Sequence, residues 1–371
     1  MSWVDGGEAA GRPWDGMSNA GTAGRMLTNV DPALRHCWHP VARSAEVTDQ
    51  PSRVLLLGEP WVLFRAGDRL RAFPDRCPHR RAPLSLGRCE GDTLRCGYHG
   101  WRFDGDGTCV ELPALGPGAA IPSRARLRPA AGVAERHGMV FLAPDDPVAP
   151  LPVLPEADDP AFSAGHLPPM EARASVGLLA DNFLDMAHFP FVHLGTFGAD
   201  EAAEVPNYSV DRDRWSFTAA YEHRFANRED PGVAAGLRPL VQTRRLTYRL
   251  DAPFHLVLRI DFLEAGGSNV IGFFLQPMTA ERCRIYSTIW RDDLDGDAGR
   301  MADAVAFEVA VVEEDLRVQQ AYDDLVLPLD LTAELHTRAD RTTVELRRVL
   351  ADLVAVVEAD DAGEAGETDV D

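Results

Sequence analysis

Two short segments constrain this chain more than any others: Cys77-Pro78-His79 and, sixteen residues further on, Cys96-Gly97-Tyr98-His99. Each pairs one thiol with one imidazole in a tight loop. Pro78 stiffens the first loop, and Gly97 is expected to let the backbone of the second approach whatever the ligands hold. Two thiolates and two imidazoles arranged as C-x-H and C-x-x-H suit a [2Fe–2S] cluster whose cysteines bind one iron and whose histidines bind the other. Neutral imidazoles leave such a cluster less negative than four thiolates do, and so easier to reduce. A structural zinc ion is the competing reading. Cys2His2 zinc sites, however, group like ligands, with a cysteine pair followed by a histidine pair. Arms that each mix the two types fit a centre with different ligands on each iron. The chain is therefore expected to handle single electrons.

A chain of 371 residues has room for two or three domains, and a hydrophobic share of 45% supplies them with a core. No apolar run reaches the length of a membrane span. The first twenty-five residues lack the basic start and apolar centre of a signal peptide, and no twin-arginine pair stands near the N-terminus. The expected location is the cytoplasm. A net charge of −21 argues against nucleic acid as a partner. All 37 basic residues are arginine. Cys37, Cys89, Cys109 and Cys283 show no paired spacing and read as reduced, structural residues, with Cys89 and Cys109 flanking the second arm.

The pattern divides the chain into a flexible arm (1–28), an all-β domain carrying both half-motifs (29–150), a larger domain of strands and helices (151–357) and an acidic, disordered tail (358–371). Val54–Leu57, Trp61–Arg65 and Met139–Leu142 read as strands of the first domain, and Gly105-Asp106-Gly107 as a turn. A proline-rich linker from Pro144 to Pro169 marks the boundary. Beyond it, strands are expected at Trp215–Tyr221, Arg244–Leu250, His255–Phe262, Asn269–Leu275 and Cys283–Arg291, and helices at Met301–Leu325 and Thr342–Val357.

A second cluster of metal-binding types lies at the start of the larger domain. Asn182, Asp185 and His188 recur every three residues, which places them on one face of a helix. Pro190 should end or kink that helix and let His193 swing back beside His188. Two histidines brought together between Phe189 and Phe191 suit a metal, and a carboxylate would complete the two-histidine, one-carboxylate face of a non-haem iron site. The candidates for that carboxylate are Asp315 and its neighbour Glu314, on the late helix. The pair His36 and His39, beside Trp38, reads as structural.

Together these residues resemble the Rieske non-haem iron oxygenases, and more narrowly the α subunits that include vanillate O-demethylase and dicamba O-demethylase. The resemblance runs from Trp38 to Arg348. It rests on the two arms, on Gly100-Trp101 after the second, and on the N-x-x-D-x-x-H-x4-H run met by Asn182, Asp185, His188 and His193. Ala82 and Tyr98 stand where respiratory Rieske proteins carry an extra disulfide, which favours the oxygenase type. Arg81 stands where many members have glycine. The resemblance implies an α+β chain: an N-terminal all-β Rieske domain holding a [2Fe–2S] cluster at Cys77, His79, Cys96 and His99, and a C-terminal helix-grip catalytic domain. There mononuclear Fe(II) would sit on His188, His193 and Asp315 and use O2. It also implies a head-to-tail homotrimer in which Asp185 bridges His188 and the partner subunit's His99, with Asn182 behind.

The chain carries no plant-type ferredoxin spacing and no G-x-G-x-x-G, so a separate ferredoxin or flavin reductase is expected to supply electrons. Arg76, Arg80, Arg81, Arg88, Arg95 and Arg102, set against Glu90 and Asp92, are a candidate docking face for an acidic donor. Phe262, Ile271, Phe273, Leu275, Ile289 and Phe307 are candidate pocket residues. Hydroxylation or demethylation of a small substrate is the expected reaction. Ring cis-dihydroxylation and pure electron transfer are the alternatives.

Overall fold

The computed structural model describes residues 23–194, 196, 203–226, 233 and 235–367. The N-terminal domain comprises β1 (Met26–Leu27), β2 (His39–Arg43), β3 (Ser52–Leu56), β4 (Glu59–Ala66), β5 (Arg69–Pro74), β6 (Arg88–Glu90), β7 (Thr93–Arg95), β8 (Arg102–Phe103), β9 (Cys109–Glu111), β10 (Gly132–Arg136) and β11 (Met139–Ala143). All but β1 form three antiparallel sheets, β10-β11-β2, β3-β4-β5 and β6-β7-β8-β9. Strand β4 links two cores because its side chains alternate between faces. Trp61 and Leu63 enter the core shared with the rest of the chain, whereas Val62 and Phe64 enter the one beneath the four-stranded sheet.

The C-terminal domain comprises α1 (Pro155–Asp158), β12 (Ser163–His166), β13 (Met170–Arg173), α2 (Val176–Leu184), α3 (Phe189–Val192), β14 (Ser209–Arg212), β15 (Ser216–Ala226), β16 (Val241–Asp251), β17 (His255–Phe262), β18 (Ser268–Thr279), β19 (Arg282–Arg291), α4 (Ala298–Gln319), β20 (Leu327–Pro328) and α5 (Arg341–Glu367). Its sheet is an antiparallel meander ordered β12-β19-β18-β17-β16-β15-β14, with β13 also paired to β19. Helix α4 lies over one face of the sheet, and α5 packs on α2, β14 and β15. The chain is thus α+β, with an all-β N-terminal domain and an antiparallel sheet gripped by helices.

Several boundaries differ from the sequence reading. Met26–Leu27, expected within the flexible arm, pairs with Leu327–Pro328, because Leu27 is buried there. Helix α4 stops at Gln319 instead of Leu325. Asp323 and Asp324 would place negative charge at a helix C-terminus, where the helix dipole opposes it. Helix α5 passes Val357 and runs to Glu367, through a stretch expected as tail but rich in the helix formers Ala and Glu. Residues 1–22 and 368–371 lie outside the described residues.

The two domains share a single core, in which Val41, Leu56 and Leu142 meet Leu256, Leu275 and Ile285. Polar clamps cross the same seam. Arg43, itself buried, donates to Thr288 Oγ1 at 2.9 Å and to the Ser287 carbonyl at 2.6 Å. Leu57 N donates to the Pro277 carbonyl at 2.8 Å. His39 and His255 lie fully buried nearby, and His39 Nε2 is 2.7 Å from the Leu34 carbonyl. His39 is therefore structural, as its sequence setting indicated.

Burial holds both rings neutral, depressing His39 to about 4 and His255 to about 3, the latter also through His39. In the unfolded chain both titrate near ~6.5. Between those values the unfolded state binds protons that the folded state refuses, so stability is full above pH 6.5 and falls as pH falls. Each histidine should remove roughly 1.4 kcal/mol per pH unit in that window. Urea midpoints of the iron-loaded protein between pH 7 and pH 5 should fall steeply, and His255→Gln should flatten the slope. An unchanged slope would sink this account.

Candidate active site

Both half-motifs sit at one end of the four-stranded sheet, the first between β5 and β6 and the second between β7 and β8. Their backbones repeat one pattern. Cys77 N donates to the Ala82 carbonyl at 2.9 Å and Arg81 N to the Cys77 carbonyl at 2.9 Å. In the second loop Cys96 N donates to the Trp101 carbonyl at 2.8 Å and Gly100 N to the Cys96 carbonyl at 3.1 Å. The fifth residue of each loop is left-handed, with φ 61° at Arg81 and 71° at Gly100. Glycine takes that region freely, whereas at Arg81 it costs about 1 kcal/mol. At Gly97 a Cβ would lie 2.5 Å from the Leu86 carbonyl oxygen, so the glycine admits the backbone that follows the first arm.

Cys77 and Cys96 are buried, and the His79 and His99 rings meet edge to face with centroids 4.5 Å apart. His79 stacks on Trp101 at 4.6 Å, and its Nδ1 is buried with no hydrogen-bond partner. Burial pushes the Cys77 thiol up to about 12, so the thiolate needs a cation to form. Two buried thiols, two converging imidazoles and an orphaned ring nitrogen fit a Rieske cluster. Cys89 and Cys109 pack in the same core, and all six cysteines are free thiols.

The second site forms at a helix break. Helix α2 ends at Leu184, and Asp185 is its extended C-cap, accepting from Ala187 N at 2.7 Å. Asn182, Asp185 and His188 therefore do not share one helical face as expected. Pro190 also does not end that helix. It opens α3, where a missing N–H costs nothing. The single turn of α3 has His188 at one cap and His193 at the other, with Nε2 atoms 3.1 Å apart. Asp315 Oδ1, from α4, lies 3.4 Å from His188 Nε2 and 3.3 Å from His193 Nε2.

These three atoms make a triangle that could hold one ion. Donors about 2.1 Å from a common ion stand about 3.0 Å apart at right angles and about 3.4 Å apart at the tetrahedral angle. The observed edges span that interval. The electrostatics also fit. Burial pulls His188 down, but the Asp185 and Asp315 carboxylates outweigh it and raise the ring to about 9. Burial likewise raises Asp315, and the two imidazoles overcome it and hold the acid low. The pocket favours a positive charge among its donors, whether proton or metal.

Glu314 occupies a different place from Asp315. Its Oε2 lies 3.0 Å from His193 Nδ1 and accepts from Thr196 Oγ1 at 2.7 Å. It thus orients the histidine from the side opposite the triangle. Asp185 Oδ2 is 3.4 Å from His188 Nδ1, and Asn182 Nδ2 donates to Asp315 Oδ1 at 3.4 Å. Thr196 was not anticipated, since a lone threonine gives no pattern.

The triangle opens onto a cavity of about 220 Å³ between the sheet and α4. Phe262, Ile271, Phe273 and Phe307 line it as anticipated, whereas Leu275 and Ile289 are buried in core. Arg244, Asn269 and Glu308 also line it and were missed. Strand period could have found two of them. Arg244 is in phase with Leu246 and Tyr248, and Asn269 with Ile271 and Phe273.

The arginine face is smaller than its sequence implied. Arg88 and Arg95 pair with Glu90, and Arg95 and Arg102 with Glu111. Arg76, Arg80 and Arg81 remain exposed around the first arm. Among the described residues no helix is long and apolar enough to cross a membrane.

The Rieske [2Fe-2S] domain family matches residues 37–128, and the vanillate O-demethylase oxygenase C-terminal domain family matches residues 172–356. Methylxanthine N3-demethylase NdmB of Pseudomonas putida is 30% identical over 328 residues, covering 85% of this chain and 88% of that protein. Methylxanthine N1-demethylase NdmA of the same organism is 29% identical over 328 residues, covering 86% and 89%. The crystal structure of dicamba monooxygenase bound to 3,6-dichlorosalicylic acid shares the fold, with a TM-score of 0.75 at 23% identity over 90% of this chain and 100% of that one. The cofactors of such an enzyme are a Rieske [2Fe–2S] cluster and mononuclear iron, with dioxygen as co-substrate. With both domain families following one another along its length, the chain belongs to the Rieske non-haem iron oxygenases, as an α subunit of the demethylase type.

Proposed function

We propose that this chain is the oxygenase component of a demethylating system, acting on the O- or N-methyl group of a small aromatic substrate. The observation that carries the proposal is the donor triangle of His188, His193 and Asp315 opening onto an aromatic-walled cavity. In this reading those three residues hold the mononuclear iron, and Cys77, His79, Cys96 and His99 hold the cluster. Iron held there would supply dioxygen activation, with two electrons from the cluster and two protons, so that one oxygen atom enters a substrate C–H bond and the other leaves as water. A hydroxylated methyl group on oxygen or nitrogen then collapses to formaldehyde.

The chain's own residues position the parts. Glu314 and Thr196 fix the His193 ring, and Asp185 faces the outer nitrogen of His188. The rings of Phe183 and Phe273, stacked at 5.0 Å, form an apolar part of the cavity wall. A cavity below the usual range of drug-sized sites fits one or two rings.

The assembly we propose is a head-to-tail homotrimer in the cytoplasm. His99 is exposed at the domain tip and Asp185 is partly exposed, which leaves Asp185 accessible to the partner subunit's His99. A separate ferredoxin or flavin reductase would supply electrons, with Arg76, Arg80 and Arg81 as the charged part of its docking face.

Iron analysis should give about three irons per chain, two in the cluster and one mononuclear. Methoxy- and methylamino-aromatic substrates should release formaldehyde in step with oxygen uptake. Zinc in the N-terminal domain, or a vicinal diol product in place of formaldehyde, would refute the proposal. Asp185→Asn should retain both metals and lose turnover at least a hundredfold, and full turnover in that variant would remove the bridge. Glu314→Gln should weaken mononuclear metal binding by about 10- to 100-fold while cluster absorbance stays unchanged.

A further inference from the structure

Two independent periods measure the length of the cavity. On α4 its lining residues are Ala304, Phe307, Glu308, Val311, Val312 and Asp315. Spacings of three and four keep them on one helical face, so the cavity follows the helix for three turns, about 16 Å from Ala304 to Asp315. On β18 it is lined by Phe273, Ile271 and Asn269, while the intervening Val270 and its neighbour Phe274 enter another core. Those three positions on one face of a strand span about 13 Å. A volume of about 220 Å³ drawn out over such a length is a narrow slot. At the packing density of protein interiors, ~0.75, a ligand of roughly 165 Å³ fills it, the volume of about two benzene rings.

The two ends of the slot differ. One carries the donor triangle. Toward the other, a Cβ on Gly165 of β12 would lie 2.5 Å from Met301 Sδ and 2.8 Å from Val305 Cγ2, so α4 rests directly on β12 there. Ala304 lies between those two contact residues in sequence and is the smallest side chain in the lining. Helical side chains lean toward the N-terminus, so a larger residue at 304 would fill the far end without approaching the triangle. Between the ends the walls include Leu258, Ile260, Ile271, Val311 and Val312. Burying a second ring against such apolar walls is worth roughly 10- to 100-fold in affinity. A narrow slot grants that gain only to a ring set end to end with the first.

We infer that the substrate of this site carries two aromatic rings joined end to end, with its methyl-bearing heteroatom at the outer end of one ring, and that Ala304 sets the length the site accepts. This inference rests on reading the cavity as the substrate site.

The test is anaerobic titration calorimetry of the full-length, iron-loaded protein with 4'-methoxybiphenyl-4-ol, its isomer 2'-methoxybiphenyl-4-ol and the single-ring 4-methoxyphenol. The isomers share one composition and differ in whether the methoxy group lies on the long axis. The 4'-isomer should bind at least tenfold more tightly than either of the others. Ala304→Phe should weaken binding of the 4'-isomer at least tenfold and cut its lead over 4-methoxyphenol to below threefold. Equal binding of the two isomers would overturn the inference, as would a lead that survives Ala304→Phe or the absence of binding by all three. Should Ala304→Phe fold poorly, Ala304→Leu replaces it, since leucine suits a helix, and at least a threefold loss is expected. Formaldehyde release on admitting oxygen separates the two readings. A tenfold lead without formaldehyde from any bound compound tells against demethylation alone, and formaldehyde without the lead tells against the two-ring slot alone.

Discussion

Two imidazole nitrogens and one carboxylate oxygen must meet within 3.4 Å, although they come from positions 188, 193 and 315. Much of the C-terminal domain's architecture serves that convergence. A single helical turn sets the histidines side by side, and a long helix laid over the sheet brings the acid to them. Attraction between imidazole and carboxylate more than offsets the burial penalty on either group, since His188 rises and Asp315 falls against that penalty. Adjacent positions on α4 divide the labour. Asp315 faces the triangle, and Glu314 reaches the outer nitrogen of His193.

The sheet supplies the other half of the site. Because strand pairing is antiparallel from β15 to β19 and regular apart from a bulge between Pro277 and Thr279, side chains of one parity form rows across it. Those rows grade from the aromatic zone around Phe273 to the polar zone around Asn269. Helix α4 carries a matching gradient, with Glu308 over the polar rows and Asp315 two turns later at the donor triangle. The site thus gains direction from the period of a strand and the period of a helix laid across it.

Much of this was legible in the sequence, for identifiable reasons. The two arms and the N-x-x-D-x-x-H-x4-H run are local patterns whose ligand types announce their chemistry, and the strands of the meander, alternating in β16 and largely apolar in β17 to β19, fall within a few residues of their expected places. What escaped depends on packing. The end of α2 is set by Asp185 turning back onto Ala187 N, which no periodicity encodes. Glu314 and Asp315 could not be separated until α4 was oriented against His193. Arg244 and Asn269 are polar residues set in phase with apolar neighbours, so hydrophobicity alone does not mark them as pocket residues. Three of the six arginines around the arms proved to be tied to Glu90 and Glu111, and all these pairings but Arg88 with Glu90 cross strands of the small sheet.

The crossing of the two arms has a consequence for electron transfer. At Gly97 the second arm lies so close to the Leu86 carbonyl that one methyl group would not fit, and a Cβ at Gly87 would lie 2.0 Å from the Arg95 carbonyl oxygen. Each loop is thus a stop for the other, and the ligands they carry cannot shift independently. Donors clamped in this way relax little when the charge between them changes by one unit. Low reorganisation energy lets a carrier accept and release an electron quickly at modest driving force, and loops braced at Gly87 and Gly97 would favour it in a cluster held between them.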